Sequence, residues 1–400
     1  MKDICIISSV HLSSNPRTWK EANSLAKAGY RIVILTIWTS SERRDKDFAL
    51  IQNSNIIYKA AINLIPSESS LLKRFCYRLQ GRIGKEIKKK LNIDTNIALG
   101  FGYNMFKRKA FKENANLYIA HTEYGMLIGN YLIRKNKKVA FDFEDWYSQD
   151  YLVPERPIKL LNQLEKFSIK YGSYITCPSH AMALALQQKY NTKREIKVLY
   201  NGFPLSENST ITNLKPRALP SLVWFSQTIG AGRGIETLLI ALGLVSTMVE
   251  LYLIGNCALE YEDFLKKSFP FNRGHKLYIN KPVDHDQLLS LISQHTIGLA
   301  LEQKYPESRN KTVTNKVLQY IQAGIKILAT KTDGQLEVAS KFPNLFQFVN
   351  QESPEEWALG LEQLLNSPCI NTHTEFEKFA KQYSWDSQEN ILLELIKKVF

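Results

Sequence analysis

SLVWFSQTIGAGRGIE, residues 221–236, decides how the rest of the chain is read. Leu222, Val223, Trp224 and Phe225 form an apolar, β-branched and aromatic run that predicts a buried strand. The run passes into Gly230, Gly232 and Gly234, and then into the helical pattern Ile235, Leu238, Leu239, Leu242. A strand, a glycine-rich turn and a helix N-terminus make an anion site. Backbone N–H groups and the helix dipole favour negative charge, and glycine lets a phosphate approach the main chain. Arg233 stands inside the turn, where a guanidinium can fork onto a diphosphate. The spacing is neither G-x-G-x-x-G nor G-x-x-x-x-G-K-[ST], so a plain β-to-α turn with a surface arginine fits these residues as well.

Outward from this stretch the pattern is β/α in both directions. Upstream, strands are predicted at 4–10, 31–38, 55–62, 115–121, 138–145, 174–178 and 195–200. Downstream they are predicted at 222–226, 249–254, 276–280, 296–301 and 326–330. A helix through Trp19, Ala22, Leu25 and Ala26 ends at Gly29, between the first two strands. That βαβ unit predicts a parallel sheet. Two such series in 400 residues predict an α/β protein of two domains. The first spans 1–200 and the second 221–384. An Asn-, Ser-, Thr- and Pro-rich linker, 201–220, joins them, and an amphipathic helix, 385–400, returns to the first domain.

The composition is that of a globular chain, 44% hydrophobic and 22% charged. Cys5, Cys76, Cys177, Cys257 and Cys369 are far apart, with no C-x-x-C pair, which argues for a reducing compartment and against a zinc or disulfide framework. The opening MKDICIISSVHL is too short and polar for a signal peptide, and no apolar run approaches the roughly 18 residues of a membrane span. The expectation is a cytoplasmic protein.

In open α/β sheets ligands lie beyond the carboxyl ends of the strands. His11, Arg17, His121, Asp142, Glu144 and Asp145 fall at or just after such ends. Each has an ordinary reading beside the functional one. A strand-end histidine serves as a hydrogen-bonding loop residue as readily as a catalyst, and the acids of FDFED also suit a solvated junction. Asp142 alternates with Phe141 and Phe143, so it points away from them, to solvent or into a cleft. No His, Cys and carboxylate set has metal-ligand spacing, and no G-x-S-x-G is present. No metal and no cofactor is expected.

The stretch 71–116 differs from its surroundings, with twelve basic residues against three acidic ones in a chain of net charge +14. Leu71, Leu72, Phe75, Leu79, Ile83 and Ile87 recur at helical spacing among Lys73, Arg74, Arg78, Arg82, Lys85, Lys88, Lys89 and Lys90. A basic amphipathic helix of this kind lies on anionic membrane surfaces. A packed helix with a solvated outer face is the plain alternative. Nucleic-acid binding is a third, and no recognisable module accompanies the charge.

Taken in order, the segments resemble a GT-B glycosyltransferase of family 4. SSNPRTWKEANSLAKAGYRIVILT is similar to the family's opening loop, arginine and helix. ITCPSHAMALAL followed by VLYNGFP resembles the end of its first lobe. GAGRGIETLLIAL is similar to the loop and helix that open the donor lobe, and LYLIGN to a strand end within it. VDHDQLLSLISQHTIGLAL and NKVLQYIQAGIKILAT resemble its last helix–strand pairs. No single motif is diagnostic, but the ordered set covers nearly the whole chain.

The resemblance implies two Rossmann-like domains facing a central cleft and a metal-independent, retaining hexosyltransferase. It would move sugar from a nucleotide diphosphate sugar to a saccharide or lipid-linked acceptor, in cell-surface polysaccharide or glycoconjugate synthesis. Gly230, Gly232, Arg233, Gly234, Gly255, Asn315, Lys316 and Gln319 are the implied donor residues, with Asn315 as a helix N-cap. His11 and Arg17 are expected toward the acceptor, and His121, Asp142, Glu144 and Asp145 at the chemistry. The partners expected are the donor and the acceptor, from the resemblance, and an anionic membrane surface on the cytoplasmic side with no nucleic acid, from the basic stretch. Two departures stand out. Gln227 replaces a family arginine, and Lys311 and Gln319 stand where the family has a Glu-x7-Glu pair. The same fold hosts nucleotide-sugar epimerases, and the missing acids also suit a non-catalytic partner protein.

Overall fold

The β-branched runs DICII and RIVILTIW form adjacent parallel strands, β1 (Asp3–Ile7) and β2 (Arg31–Trp38), in register from Asp3 opposite Arg31 to Ile7 opposite Leu35. The helix Pro16–Lys27 connects them. Asn15 caps it by accepting from the Thr18 N–H, and Pro16 occupies its first turn. β3 (Ile56–Asn63), β4 (Leu117–His121), β5 (Val139–Asp142), β6 (Ile175–Cys177) and β7 (Lys197–Val198) complete a seven-stranded parallel sheet of order β3-β2-β1-β4-β5-β6-β7. Helices cover both faces, so the central strands are buried along their length.

A second parallel sheet holds β8 (Ser221–Ile229), β9 (Glu250–Cys257), β10 (Lys276–Asn280), β11 (Ile297–Ala300), β12 (Lys326–Thr330) and β13 (Phe346–Val349). Its order is β10-β9-β8-β11-β12-β13. β13 is not among the expected strands. It is an edge strand of four residues, too short for alternation to mark it.

This computed structural model describes residues 2–205, 218–283, 285–368 and 372–400. The chain divides into one unit of Met1–Leu199 with Glu389–Phe400, and a second of Tyr200–Gln388. Most of the expected linker, at 206–217, lies outside the described residues. The last helix, Trp385–Val399, ends in the first unit, where Lys138 donates to the Val399 carbonyl at 2.8 Å and Phe400 stacks on Tyr30. No described helix is long and apolar enough to cross a membrane.

Candidate functional site

In the second unit β8 runs on to Ile229, and the glycine-rich turn brings the chain to the helix Ile235–Leu242. Gly232 and Gly234 have φ of 71° and 82°, which only glycine adopts without strain. A Cβ at Gly230 or Gly232 would meet nothing within 4 Å, so the turn is open above. The Gly232 N–H already donates to Glu236 Oε1 at 3.2 Å, and Tyr261 donates to the same oxygen. Side chains therefore supply most of the positive potential here. Arg233, Arg309 and Lys316 line one small depression with Trp224, Leu301, Glu302 and Gln303. Lys316 Nζ is 2.7 Å from Glu302 Oε1 and lies 5.6 Å from the Trp224 ring centroid. Burial and then the charge of Arg309 lower the pKa of Arg233. Burial works against the charge of Glu302, but Lys316, Arg309 and Arg233 hold its pKa below the usual value. Three cations around one already paired carboxylate leave a local excess of positive charge.

In the first unit, register sets the site. His121, the last residue of β4, is opposite Asp142, the last of β5, and Asp142 is opposite Thr176 on β6. Arg17, from the neighbouring helix, donates through Nε and Nη2 to the two Asp142 oxygens, and through Nη1 to the Leu199 carbonyl at 2.7 Å. Thr176 Oγ1 donates to Asp142 at 2.7 Å. His121 directs Nε2 at Glu21 and Nδ1 at Glu144, 2.9 Å away. Both ring nitrogens face carboxylates, so both carry protons. Burial opposes that charge, but Glu21, Asp142 and Glu144 outweigh it and raise the His121 pKa well above the ordinary value. Among the described residues, Glu21, His121 and Asp142 are close enough together to hold a metal. With both ring nitrogens protonated and Arg17 adding another positive charge, these side chains pair as a buried ion network.

Glu144 and Asp145 lie at the open end of this network. Glu144 accepts from Asn15 at 2.7 Å and stays partly exposed. Asp145 keeps solvent contact, but the protein packed around its carboxyl and the charges of Glu144, Asp150 and Glu123 push its pKa up to about 7. The Tyr147 hydroxyl, buried beside these acids, has no hydrogen-bond partner among the described residues. Burial and then Glu144 and Asp145 raise its pKa well above the ordinary value.

Neither a protein-family model nor a curated protein sequence matches the chain. Solved structures do. Sucrose-phosphate synthase from Thermosynechococcus elongatus is similar at a TM-score of 0.73 and 14% identity, over 100% of this chain and 99% of that one. Anabaena HepE, solved with UDP and glucose, is similar at 0.67 and 12%, over 99% and 100%. A Listeria monocytogenes protein described as a UDP-N-acetylglucosamine 2-epimerase matches more loosely, at 0.57 and 12%, over 99% and 96%. The fold is GT-B.

Several expected site residues are buried or engaged within the protein. Gly255 is buried in β9, where a Cβ would come 2.4 Å from the Ser226 carbonyl oxygen, so it serves strand packing. Thr314, not Asn315, is the N-cap of the helix Asn315–Gln322, and Asn315 accepts from Asn201 at 2.8 Å. Gln319 is buried in that helix at 1% exposure, closed off from solvent. Lys311 is tied to Asp333 and Glu307. His11 gives its Nδ1 proton to Asp47 at 2.7 Å and accepts the Thr39 N–H on Nε2, so it pins the loop after β1 and has no nitrogen left for an acceptor. Arg17 and Asp142 are buried and occupied with each other. Asp142 does not point to solvent, because its carboxylate is buried against Arg17 and Thr176. Lys88 is also buried and cannot reach a membrane surface. The sequence reading did not single out Arg309, Glu302, Glu21 or Tyr147. Glu21 was within reach, standing one turn beyond Arg17 on the same helix face. Arg309 carries no such signal, since its five-residue helix Glu307–Lys311 has no period of its own.

Proposed function

We propose that the chain is a glycosyltransferase that takes its sugar from a nucleotide diphosphate sugar. The observation that carries this is the convergence of Arg233, Arg309 and Lys316 beside the glycine-rich turn. When the bond from the anomeric carbon to the diphosphate breaks, its electron pair leaves with the diphosphate, which already carries two negative charges and gains a third, and preorganised cations hold that charge best in a partly desolvated pocket. The likeness to HepE, solved with UDP and with UDP-glucose, supports a uridine donor. In the first unit Glu144 and Asp145 are the side chains left open to engage an acceptor hydroxyl. His121 and Asn15 hold Glu144 in place. The acceptor is a saccharide, free or lipid-linked, in cell-surface glycan synthesis. By resemblance to family 4, transfer retains the anomeric configuration. The cations beside the turn can replace a metal, and the basic amphipathic stretch supports a position on the cytoplasmic side of an anionic membrane.

The epimerase alternative draws on the looser likeness to the Listeria protein, and non-catalytic binding on the buried Gln319 and the ion-paired Lys311. Calorimetric titration with UDP, then donor consumption with and without saccharide acceptors and chelator, separates the three. Transfer predicts UDP binding and chelator-resistant consumption that needs an acceptor. Consumption without any acceptor would replace the proposal with epimerisation or hydrolysis. Binding without turnover would leave a binding protein.

A further inference from the structure

The helix Leu71–Leu91 presents two parallel rows to solvent. Leu72, Phe75, Leu79 and Ile83 follow helical spacing and form an apolar stripe, extended at its start by Leu71. These residues are 77% (Leu71), 73% (Leu72), 63% (Phe75), 41% (Leu79) and 44% (Ile83) exposed. Arg78, Arg82, Lys85 and Lys89 also recur at helical spacing, on the adjoining face, so a basic row runs beside the stripe, and all four are exposed. The opposite side anchors the helix. A Cβ at Gly84 would strike the Ile97 backbone at 2.5 Å, Gln80 accepts the Gly102 N–H at 2.9 Å, and Tyr77 packs on Phe101. Lys88 on that side pairs with Asp94 at 2.6 Å. The stripe is therefore held outward by a seated helix. Glu86, the one acid in the helix, is paired with Lys90.

We propose that this helix beds into the interface of an anionic lipid bilayer, with the stripe in the acyl boundary and the basic row on lipid phosphates. The inference deepens the membrane part of the proposed function and does not depend on sugar transfer. Charge complementarity selects the occupant. A second copy docked stripe to stripe would bring basic rows against each other, and a nucleic acid would leave the apolar residues in water. Insertion also separates this face from a purely electrostatic patch, because apolar burial survives the salt that screens surface charges beyond about 8 Å.

The test is flotation of the full chain with vesicles of phosphatidylcholine, alone or mixed with phosphatidylglycerol, at low and at physiological salt. The parent protein floats with the mixed vesicles at both, and more weakly with neutral ones. Leu72→Ser/Phe75→Ser/Leu79→Ser loses about a hundredfold in partition, and Arg78→Glu/Arg82→Glu/Lys85→Glu loses a comparable factor on mixed vesicles. All six positions are on the outer side of the helix, so both variants keep the parental melting temperature and UDP affinity. Donor binding is read separately, so a failure of the membrane site is distinguishable from a failure of the donor site. No flotation of the parent, or a stripe variant that floats as the parent does, overturns the proposal. So does light scattering that finds the parent dimeric and the stripe variant monomeric, since a second copy would then cover the face.

Discussion

Arg233 and Arg309 repel each other across a depression in which Glu302 is already engaged by Lys316. A bound diphosphate relieves that repulsion. Arg309→Ala or Arg233→Ala should each raise the UDP dissociation constant about ten- to a hundredfold, from the ~1.5–3 kcal/mol of a charged hydrogen bond. Arg233→Lys should lose less, since it keeps a point charge. Titration calorimetry reads this directly, and an unchanged constant for both alanine variants would place the donor elsewhere. Asp145 makes a second residue-scale prediction. Its folded pKa of about 7 lies above the unfolded value, so its contribution to stability is complete below about pH 4 and is lost as pH rises through about 7. In the same window the carboxylate becomes available as a base. Stability should fall and transfer should rise across pH 5 to 8. Asp145→Asn should flatten both profiles, as followed by urea midpoints and by initial rates.

At the scale of elements, the basic helix carries two kinds of lysine that the sequence does not distinguish. Lys88 turns inward to Asp94 and Asn92, and the other oxygen of Asp94 accepts the Leu160 N–H at 2.8 Å. Lys89 and Lys90 point outward. Lys88→Met leaves a buried carboxylate with its charge unpaired and should destabilise the protein by about 3 kcal/mol. Lys89→Met and Lys90→Met should stay within about 0.5 kcal/mol of the parent. Chemical denaturation of the three variants checks the orientation of the helix. Equal midpoints would mean that the Lys88–Asp94 pair contributes nothing.

At the scale of the whole molecule, the chain's last residues belong with its first unit. Leu392, Leu395 and Ile396 are buried, and Lys2 and Lys138 donate to the carbonyls of Phe400 and Val399. Removing Glu389–Phe400 exposes those side chains' sites, at ~1.5–3 kcal/mol each, against a domain stability of about 5–15 kcal/mol. The truncated chain should lose the cooperative melting of the first unit while the second retains its own. Differential scanning calorimetry should show one transition displaced or missing. Two unchanged transitions would mean that the final helix contributes no stability.

The architecture was legible because it is written in local periodicity. β-Branched runs alternating with helical stripes specify buried parallel strands and their crossovers, and 31–38, 276–280 and 326–330 match β2, β10 and β12 end for end. The glycine-rich turn was legible for the same reason, since positive φ at Gly232 and Gly234 constrains residue type. Which charged side chains remain free was not legible. His121, Asp142 and Thr176 meet through strand register, Arg17 and Glu21 reach them from a helix, and Arg309 approaches Arg233 from more than seventy residues away. Pairing of that kind depends on distance in space. The sequence by itself determined two β/α units, a glycine-rich strand-to-helix turn and a basic amphipathic helix. Only the tertiary structure decided that Arg17, Asp142 and Lys88 are consumed in ion pairs, while Glu144, Asp145, Arg309 and the stripe from Leu72 to Ile83 remain open, because burial and partnership are settled by what packs against each side chain.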